Sequence, residues 1–166
     1  DDVIELIQNQ RKDAKINLPK GIIADKKSSY LYITKKEIKI EPIEYEIEIP
    51  INKVTVVEEL GIKVEAQRIS KEKSKLFSTG SNTKSFDIAK ISGKLIMRNR
   101  HNGDKIKPLG LGGTKKIKDI LIDSKVSLEL RNNVPIICDD EKILWIVGHC
   151  ISEEAKISEL TEEVIR

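Results

Sequence analysis

The sequence predicts an α+β fold rich in strands, with one internal helix and a short leading helix, and three observations carry that expectation. Hydrophobic residues make up 39% of the 166-residue chain but aromatics only 4%, so the core is built from Ile, Leu and Val, which favour strands. The stretch "IEYEIEI", from Ile43 to Ile49, alternates apolar and acidic residues with a period of two. The stretch "TKKIKDILIDSKV", from Thr114 to Val126, changes to a helical period and places Ile117, Ile120 and Leu121 on one face.

Taken in order, "DDVIELIQNQRKD" has acidic residues leading and basic ones trailing, which suits a short helix and its dipole. Pro19 and Gly21 in "NLPKG" stop it. "GIIAD" and "SYLYITK" read as strands. In "IEYEIEI", Ile43, Tyr45, Ile47 and Ile49 face inward while Glu44, Glu46 and Glu48 face water. "KVTVVEEL" and "IKVEAQRI" are two more strands broken at Gly61, and "FDIAKI" and "KLIMR" return to strand character. After the internal helix, "NVPIIC" and "KILWIVG" predict a hairpin turning over Asp139–Lys142. The tail from Ile151 is open between a helix and a loop ending in one edge strand. The expected division is a helical lead-in over residues 1–17 and a domain over 18–166, with a seam near the polar run 71–84.

The net charge of +3 conceals an uneven distribution. Ile91–Arg131 holds ten Lys/Arg against four Asp/Glu, or +6. Glu37–Glu65 and Asp139–Arg166 each hold three against eight, or −5. A basic segment between two acidic ones predicts a local positive face. No apolar run approaches the ~18 residues of a membrane span, and no signal peptide is visible. Cys138 and Cys150 could form a disulfide or remain two partly buried thiols, and an intracellular setting favours the thiols. The chain starts at Asp1 rather than Met, which suggests a piece of a longer protein.

The basic segment centres on "GDKIKPLGLGGTKKIKD", Gly103–Asp119, which holds four glycines and five lysines. Gly103, Gly110, Gly112 and Gly113 let backbone approach a ligand closely, and Thr114 is placed to cap a helix starting at Lys115. Lys115, Lys116 and Lys118 carry the wrong sign for a helix N-terminus, a cost that a polyanion would relieve. The spacing excludes a Walker loop and a GxGxxG fingerprint. His101 and His149 have no metal-ligand spacing with the cysteines, so neither a catalytic nor a metal site is expected. Asp119 and Asp123 fit ion pairs with Lys115 or Lys116 better than an acid/base couple. Arg98 and Arg100, two apart on a strand, could follow a phosphate backbone. With few aromatics, the expected partner is a duplex backbone read by charge and shape rather than stacked bases.

"LIMRNRHNGDKIKPLGLGGTKKIKDILIDSKV", followed by "RNNVPIICDDEKILWIVG", resembles the C-terminal domain of bacterial tRNA(Ile)-lysidine synthases. The match runs through Arg98, Arg100, Gly103, Asp104, Pro108, Lys115, Lys116, Lys118, Asp119, Arg131, Pro135, Trp145 and Gly148. It is strong from Phe86 to Ile157 and weaker over "INLPKGIIADKKSSYLYI". The resemblance implies a sandwich-like fold similar to a domain of the phenylalanyl-tRNA synthetase β subunit. It implies membership of a cytoplasmic enzyme that uses ATP and Mg2+ to join lysine to an anticodon cytidine of an isoleucine tRNA. That chemistry is expected in an N-terminal pyrophosphatase-type domain outside this chain, which alone should be inactive and need no cofactor.

The family's C-terminal domain clamps the tRNA acceptor stem. Carried over, this makes Arg98, Arg100, Lys105, Lys107, Lys115, Lys116, Lys118 and Arg131 candidates for RNA contact. Gly103, Gly110, Gly112, Gly113 and Thr114 shape the loop, and Trp145 reads as core. Other expected partners are the enzyme's own catalytic and helical domains and a second copy in a homodimer, with no membrane. The alternative is a structural module that packs against those partners and has little affinity for RNA. Two departures stand out: Ser127 replaces a frequent proline, and Cys150 replaces a frequent basic residue.

Overall fold

The computed structural model describes residues 2–8, 13–27, 30–35, 44–77, 80, 82–128 and 130–166. The chain divides into two compact units, Asp1–Glu41 and Pro42–Arg166. The boundary expected between residues 17 and 18 falls inside the first of these, and the polar run 71–84 falls inside the second.

The first unit is a helix, α1 (Asp2–Gln8), followed by an antiparallel sheet of β1 (Asp13–Leu18), β2 (Ile22–Lys27) and β3 (Tyr30–Lys35) in sequential order. Asp2 and Glu5 occupy the first turn of α1, where the helix dipole favours them. The helix is shorter than the lead-in expected over residues 1–17. Ile16 and Leu18 alternate with Lys15 and Asn17, and that period of two pairs β1 with β2 instead. Pro19–Gly21 forms the tight turn between them, with Gly21 at φ 71°. Leu6 and Ala24 are the buried residues that anchor this unit.

In the second unit the strands are β4 (Glu46–Glu48), β5 (Lys53–Val57), β6 (Ile62–Ala66), β7 (Arg68–Ser70), β8 (Phe86–Asp87), β9 (Ile96–Arg98), β10 (Lys105–Ile106), β11 (Lys115–Lys116), β12 (Ile136–Cys138), β13 (Ile143–Ile146), β14 (Cys150–Ile151) and β15 (Glu163–Ile165). Two helices interrupt them, α2 (Lys71–Ser74) and α3 (Ile117–Asp123). The fold is therefore the strand-rich α+β fold that the sequence predicts. Its centre is a five-stranded antiparallel sheet in the order β14-β13-β12-β9-β4.

One cross-strand row of that sheet runs Ile47, Met97, Ile137, Trp145, Ile151. It faces a core that also contains Ile49, Val57, Ala66, Phe86, Leu95 and Ile165. The opposite face presents Ile136, Cys138, Ile143 and Ile146 to α3, through Ile117, Ile120 and Leu121, and to Ile106. Because β12 and β13 are covered on both faces, their sequences read as unbroken apolar runs rather than alternating ones. The edge strand β4 keeps one wet face, so Glu44, Glu46 and Glu48 are exposed while Ile49 is buried. Ile43 lies outside the described residues.

The hairpin predicted over Asp139–Lys142 is present. Asp139 is buried at its tip and accepts from the N–H groups of Ser92, Glu141 and Lys142 at 2.7–3.0 Å and from the Lys142 ammonium at 2.8 Å. Burial opposes ionisation there, but Lys142 and the backbone donors outweigh it and hold the carboxyl below its ordinary range. Both cysteines are free thiols, Cys138 buried and Cys150 half-buried. The tail follows the second sequence reading, a loop ending in one strand, but that strand is not at an edge: β15 is the central strand of a sheet in the order β7-β15-β8. Val164 and Ile165 are buried there, and Glu163 pairs with Arg68. No helix among the described residues is long and apolar enough to cross a membrane.

Candidate nucleic-acid interface

The glycine- and lysine-rich segment forms a two-stranded ribbon and the loop that closes it. β10 and β11 pair antiparallel, with Lys105 opposite Lys116 and Ile106 opposite Lys115. Ile106 is 2% exposed and faces the core, so its neighbours Lys105 and Lys107 face solvent. Lys116 points the same way as Lys105 because directly paired residues share a face. Lys118, in the first turn of α3, is exposed as well. None of Lys105, Lys107, Lys116 and Lys118 is in an ion pair with another described residue. Like charges opposite one another on a ribbon repel. The ribbon thus sets Lys105 and Lys116, neither of them in an ion pair, side by side on one solvent-facing surface.

The connection from Leu109 to Thr114 is exposed along its whole length. Gly103, Gly110 and Gly112 have φ of 93°, 81° and 63°, conformations that side chains rarely adopt, and a Cβ at any of them would meet nothing within 4 Å. Gly113 has no such backbone requirement but also borders open space. One end of the loop is tied down. The Leu109 N–H donates to the Ile151 carbonyl at 3.0 Å, and the Gly110 N–H donates to the Glu153 carboxylate at 3.1 Å. That carboxylate already holds a position that an anionic ligand would otherwise take.

Thr114 does not cap α3, contrary to the expectation from sequence. The helix begins at Ile117, its N-cap is Lys116, and no side chain closes that end. The reason lies in the ribbon: pairing of Lys115 and Lys116 with β10 keeps them extended, and the Ile117 N–H donates to the Asp104 carbonyl at 3.0 Å. The lysines are therefore presented by a strand pair rather than by a helix N-terminus.

The remaining expected cations are engaged within the fold. Arg98 makes a two-pronged contact with Asp104, Nη1 to Oδ2 at 2.8 Å and Nη2 to Oδ1 at 3.2 Å, and both side chains are only 13% exposed. The same carboxylate accepts the His101 N–H at 2.8 Å. Burial works against its charge, yet Arg98 and His101 hold Asp104 below its ordinary range. Arg100 donates to Asn132 Oδ1 at 2.9 Å, and Arg131 donates through Nε to the Val126 carbonyl at 2.9 Å. Lys115 pairs with Asp123, which raises the lysine above its ordinary value. Arg98, Arg100, Lys115 and Arg131 thus shape the platform, while Lys105, Lys107, Lys116 and Lys118 cover it.

Sequence reading did not single out Asn99 or Asn132. Asn99 is 7% exposed, accepts the Tyr45 N–H at 2.7 Å and donates to the Asn132 carbonyl at 2.9 Å. It joins the end of β9 to the segment after α3. Among the described residues no group of three or more His, Cys, Asp or Glu could hold a metal ion.

Together these features define a small, sheet-rich α+β domain with a solvent-facing lysine platform. Residues 95–166 match the model of the TilS substrate C-terminal domain family. The chain is 36% identical over 166 residues to the tRNA(Ile)-lysidine synthase of Clostridioides difficile (strain 630), a match that takes in 100% of this chain and 36% of that protein. It is 34% identical over 165 residues to the tRNA(Ile)-lysidine synthase of Caldanaerobacter subterraneus subsp. tengcongensis, covering 99% of this chain and 35% of the other. It also resembles a solved structure described as "Crystal structure of TILS C-terminal domain", with a TM-score of 0.62 and 26% identity, covering 74% of this chain and 92% of that one. The chain belongs to the tRNA(Ile)-lysidine synthase family and carries its C-terminal domain. It spans about a third of the length of these curated relatives, at 36% and 35%.

Proposed function

We propose that the second unit is the tRNA-binding part of a tRNA(Ile)-lysidine synthase and grips the acceptor stem of an isoleucine tRNA through Lys105, Lys107, Lys116 and Lys118. The observation that carries this reading is the opposition of Lys105 and Lys116 on the β10–β11 ribbon, with no ion-pair partner for either among the described residues. Two adjacent phosphates would turn that repulsion into attraction. Exposed glycines at 112 and 113 leave open space through which an RNA backbone could approach the loop. Arg98, Arg100 and Arg131 act as positioning residues on this reading, because Asp104, Asn132 and the Val126 carbonyl already hold them, and Lys115 is held at the surface by Asp123. The whole cytoplasmic enzyme would use ATP and Mg2+ to attach lysine to a cytidine, with the reacting groups supplied from outside this chain.

Four lysines on four phosphates would cost about two decades of affinity between 50 and 200 mM salt. Fluorescence anisotropy of a labelled acceptor-stem hairpin tests this directly. Saturable binding that weakens on that scale supports the reading, and no binding at low salt refutes it. A null result would favour a packing role instead. Val54 and Val56 suit that role, being 57% exposed and adjacent on the outer face of the β5–β6 hairpin.

A further inference from the structure

The row of exposed lysines ends in leucine. From Lys105 onward the residues alternate: Ile106 and Pro108 are buried, while Lys105, Lys107 and Leu109 are exposed. The alternation follows from backbone pairing that continues past β10. The Glu153 N–H donates to the Lys107 carbonyl at 2.8 Å, the Leu109 N–H donates to the Ile151 carbonyl at 3.0 Å, and Pro108 forms an antiparallel bridge with Ser152. Alternate residues of an extended chain share one face, about 6.5 Å apart. Leu109 therefore stands on the same side as the two lysines and in line with them.

A second leucine follows on an anchored turn. The Leu111 N–H donates to the Pro108 carbonyl at 3.2 Å, and Gly110, third in the turn, has the positive φ, 81°, that a type II turn requires. The Gly110 N–H is held in turn by Glu153, so the backbone that carries both leucines is fixed. Leu109 is 47% exposed and Leu111 66%. A lone leucine in solvent is ordinary. Two of them on a fixed turn at the end of a lysine row are a surface of a particular kind, with charge for phosphates and, beside it, apolar area that phosphates cannot use.

Helical RNA offers the matching pair of surfaces. Its phosphates border a wide, shallow minor groove lined by riboses and base edges, and the open end of a stem exposes the flat face of its last base pair. Leucine is among the apolar side chains that proteins set against bases in a minor groove. Resting on the reading that the lysine platform holds RNA, we propose that Leu109 and Leu111 form its apolar end. They pack against riboses or bases while Lys105 and Lys107 hold the phosphates alongside. The leucines thereby recognise helical RNA in preference to a bare polyanion. That apolar surface has two sources, the groove and the stem end, and the test separates them.

Anisotropy titrations of the 166-residue chain use labelled probes: an acceptor-stem hairpin with an open end, a dumbbell of the same stem closed by loops at both ends, and inorganic polyphosphate. Leu109→Ala combined with Leu111→Ala should weaken hairpin binding about tenfold. It should leave polyphosphate binding and the slope of log affinity against log salt unchanged, because no phosphate contact is lost. Lys107→Gln should instead weaken binding to both probes and make the slope shallower by about 1. Leu111→Met keeps the apolar surface and should bind like the parent. An equal loss on hairpin and dumbbell assigns the leucines to the minor groove, and a loss on the hairpin alone assigns them to the terminal base pair. The proposal is overturned if the double variant binds the hairpin like the parent. It is also overturned if that variant loses polyphosphate as much as RNA, since the turn would then only shape the lysines. Leucine-dependent binding that is tighter to vesicles of equal phosphatidylcholine and phosphatidylserine than to the hairpin would overturn it in favour of a membrane surface. If the parent binds neither hairpin nor dumbbell, the RNA reading of the platform fails and this inference fails with it.

Discussion

Replacing Lys116 with glutamate should make the protein more stable and a poorer ligand for RNA at the same time. Lys116 faces Lys105 directly across the ribbon and sits at the N-cap of α3, where an anion is favoured over a cation. The substitution turns a repulsive cross-strand pair into an attractive one and removes a charge of the wrong sign from the helix end. Each effect is worth a few tenths of a kcal/mol to about 1 kcal/mol in favourable settings. Both side chains are exposed, so screening by water keeps the sum near about 0.5–1 kcal/mol. For a chain of this size that corresponds to a rise of about 1–4 °C in Tm. On the RNA side, one phosphate contact is lost and a repulsion gained, so the slope of log affinity against log salt should become shallower by about 1. Urea unfolding and acceptor-stem anisotropy, run on the same preparations, give both numbers. Lys116→Gln should fall between the parent and the glutamate variant on both scales. If Lys116→Glu lowers the Tm, or leaves both affinity and salt slope unchanged, the argument from opposed lysines is wrong.

Asp104→Asn strips the counter-charge from a largely buried arginine and should destabilise the fold by about 3 kcal/mol at pH 7, measured by urea unfolding. The sign with pH follows from the depressed carboxyl: its stabilisation is present above the ordinary aspartate range and is lost as pH falls through the lower folded value. The gap between parent and variant should therefore close in acid. Arg98→Met should likewise cost stability at pH 7, and a variant that stays stable but loses RNA would show that Arg98 is a contact after all. Gly93→Ala should lower stability by about 1–2 kcal/mol, because Gly93 has φ 69° and a Cβ there would lie 1.8 Å from Asp140 Oδ2. Burial raises both Cys138 and Cys150 above their ordinary thiol values. A thiol reagent at pH 7 should label them slowly in the native state and rapidly in urea, and fast native labelling of Cys138 would contradict its burial.

Local pattern alone determined a good part of this protein. The alternation in "IEYEIEI" placed Glu44, Glu46 and Glu48 outward and Ile49 inward, and the spacing of Ile117, Ile120 and Leu121 placed all three in the core. The turn at Gly61 and the hairpin over Asp139–Lys142 were equally legible, because a left-handed glycine and a polar run between apolar strands act within a few residues. The positive segment was visible as composition. What composition could not decide was which of its cations remain free. The Lys115–Asp123 pair was legible from spacing, but the rest depends on contacts that folding makes: Asp104 claims Arg98, Asn132 claims Arg100, and the register of two-residue strands sets Lys105 against Lys116. Strands that short carry no periodic signal, so neither their existence nor the displaced start of α3 could be read in advance. The tail was ambiguous for a related reason. "EVI" is too brief to declare itself, and only its insertion between β7 and β8, whose paired residues lie 77 to 97 positions away, makes it a central strand. Sequence settled which residues seek the interior. The tertiary structure decided which charges are spent on holding the fold together and which are left facing solvent, because that choice is made by contacts that no local pattern contains.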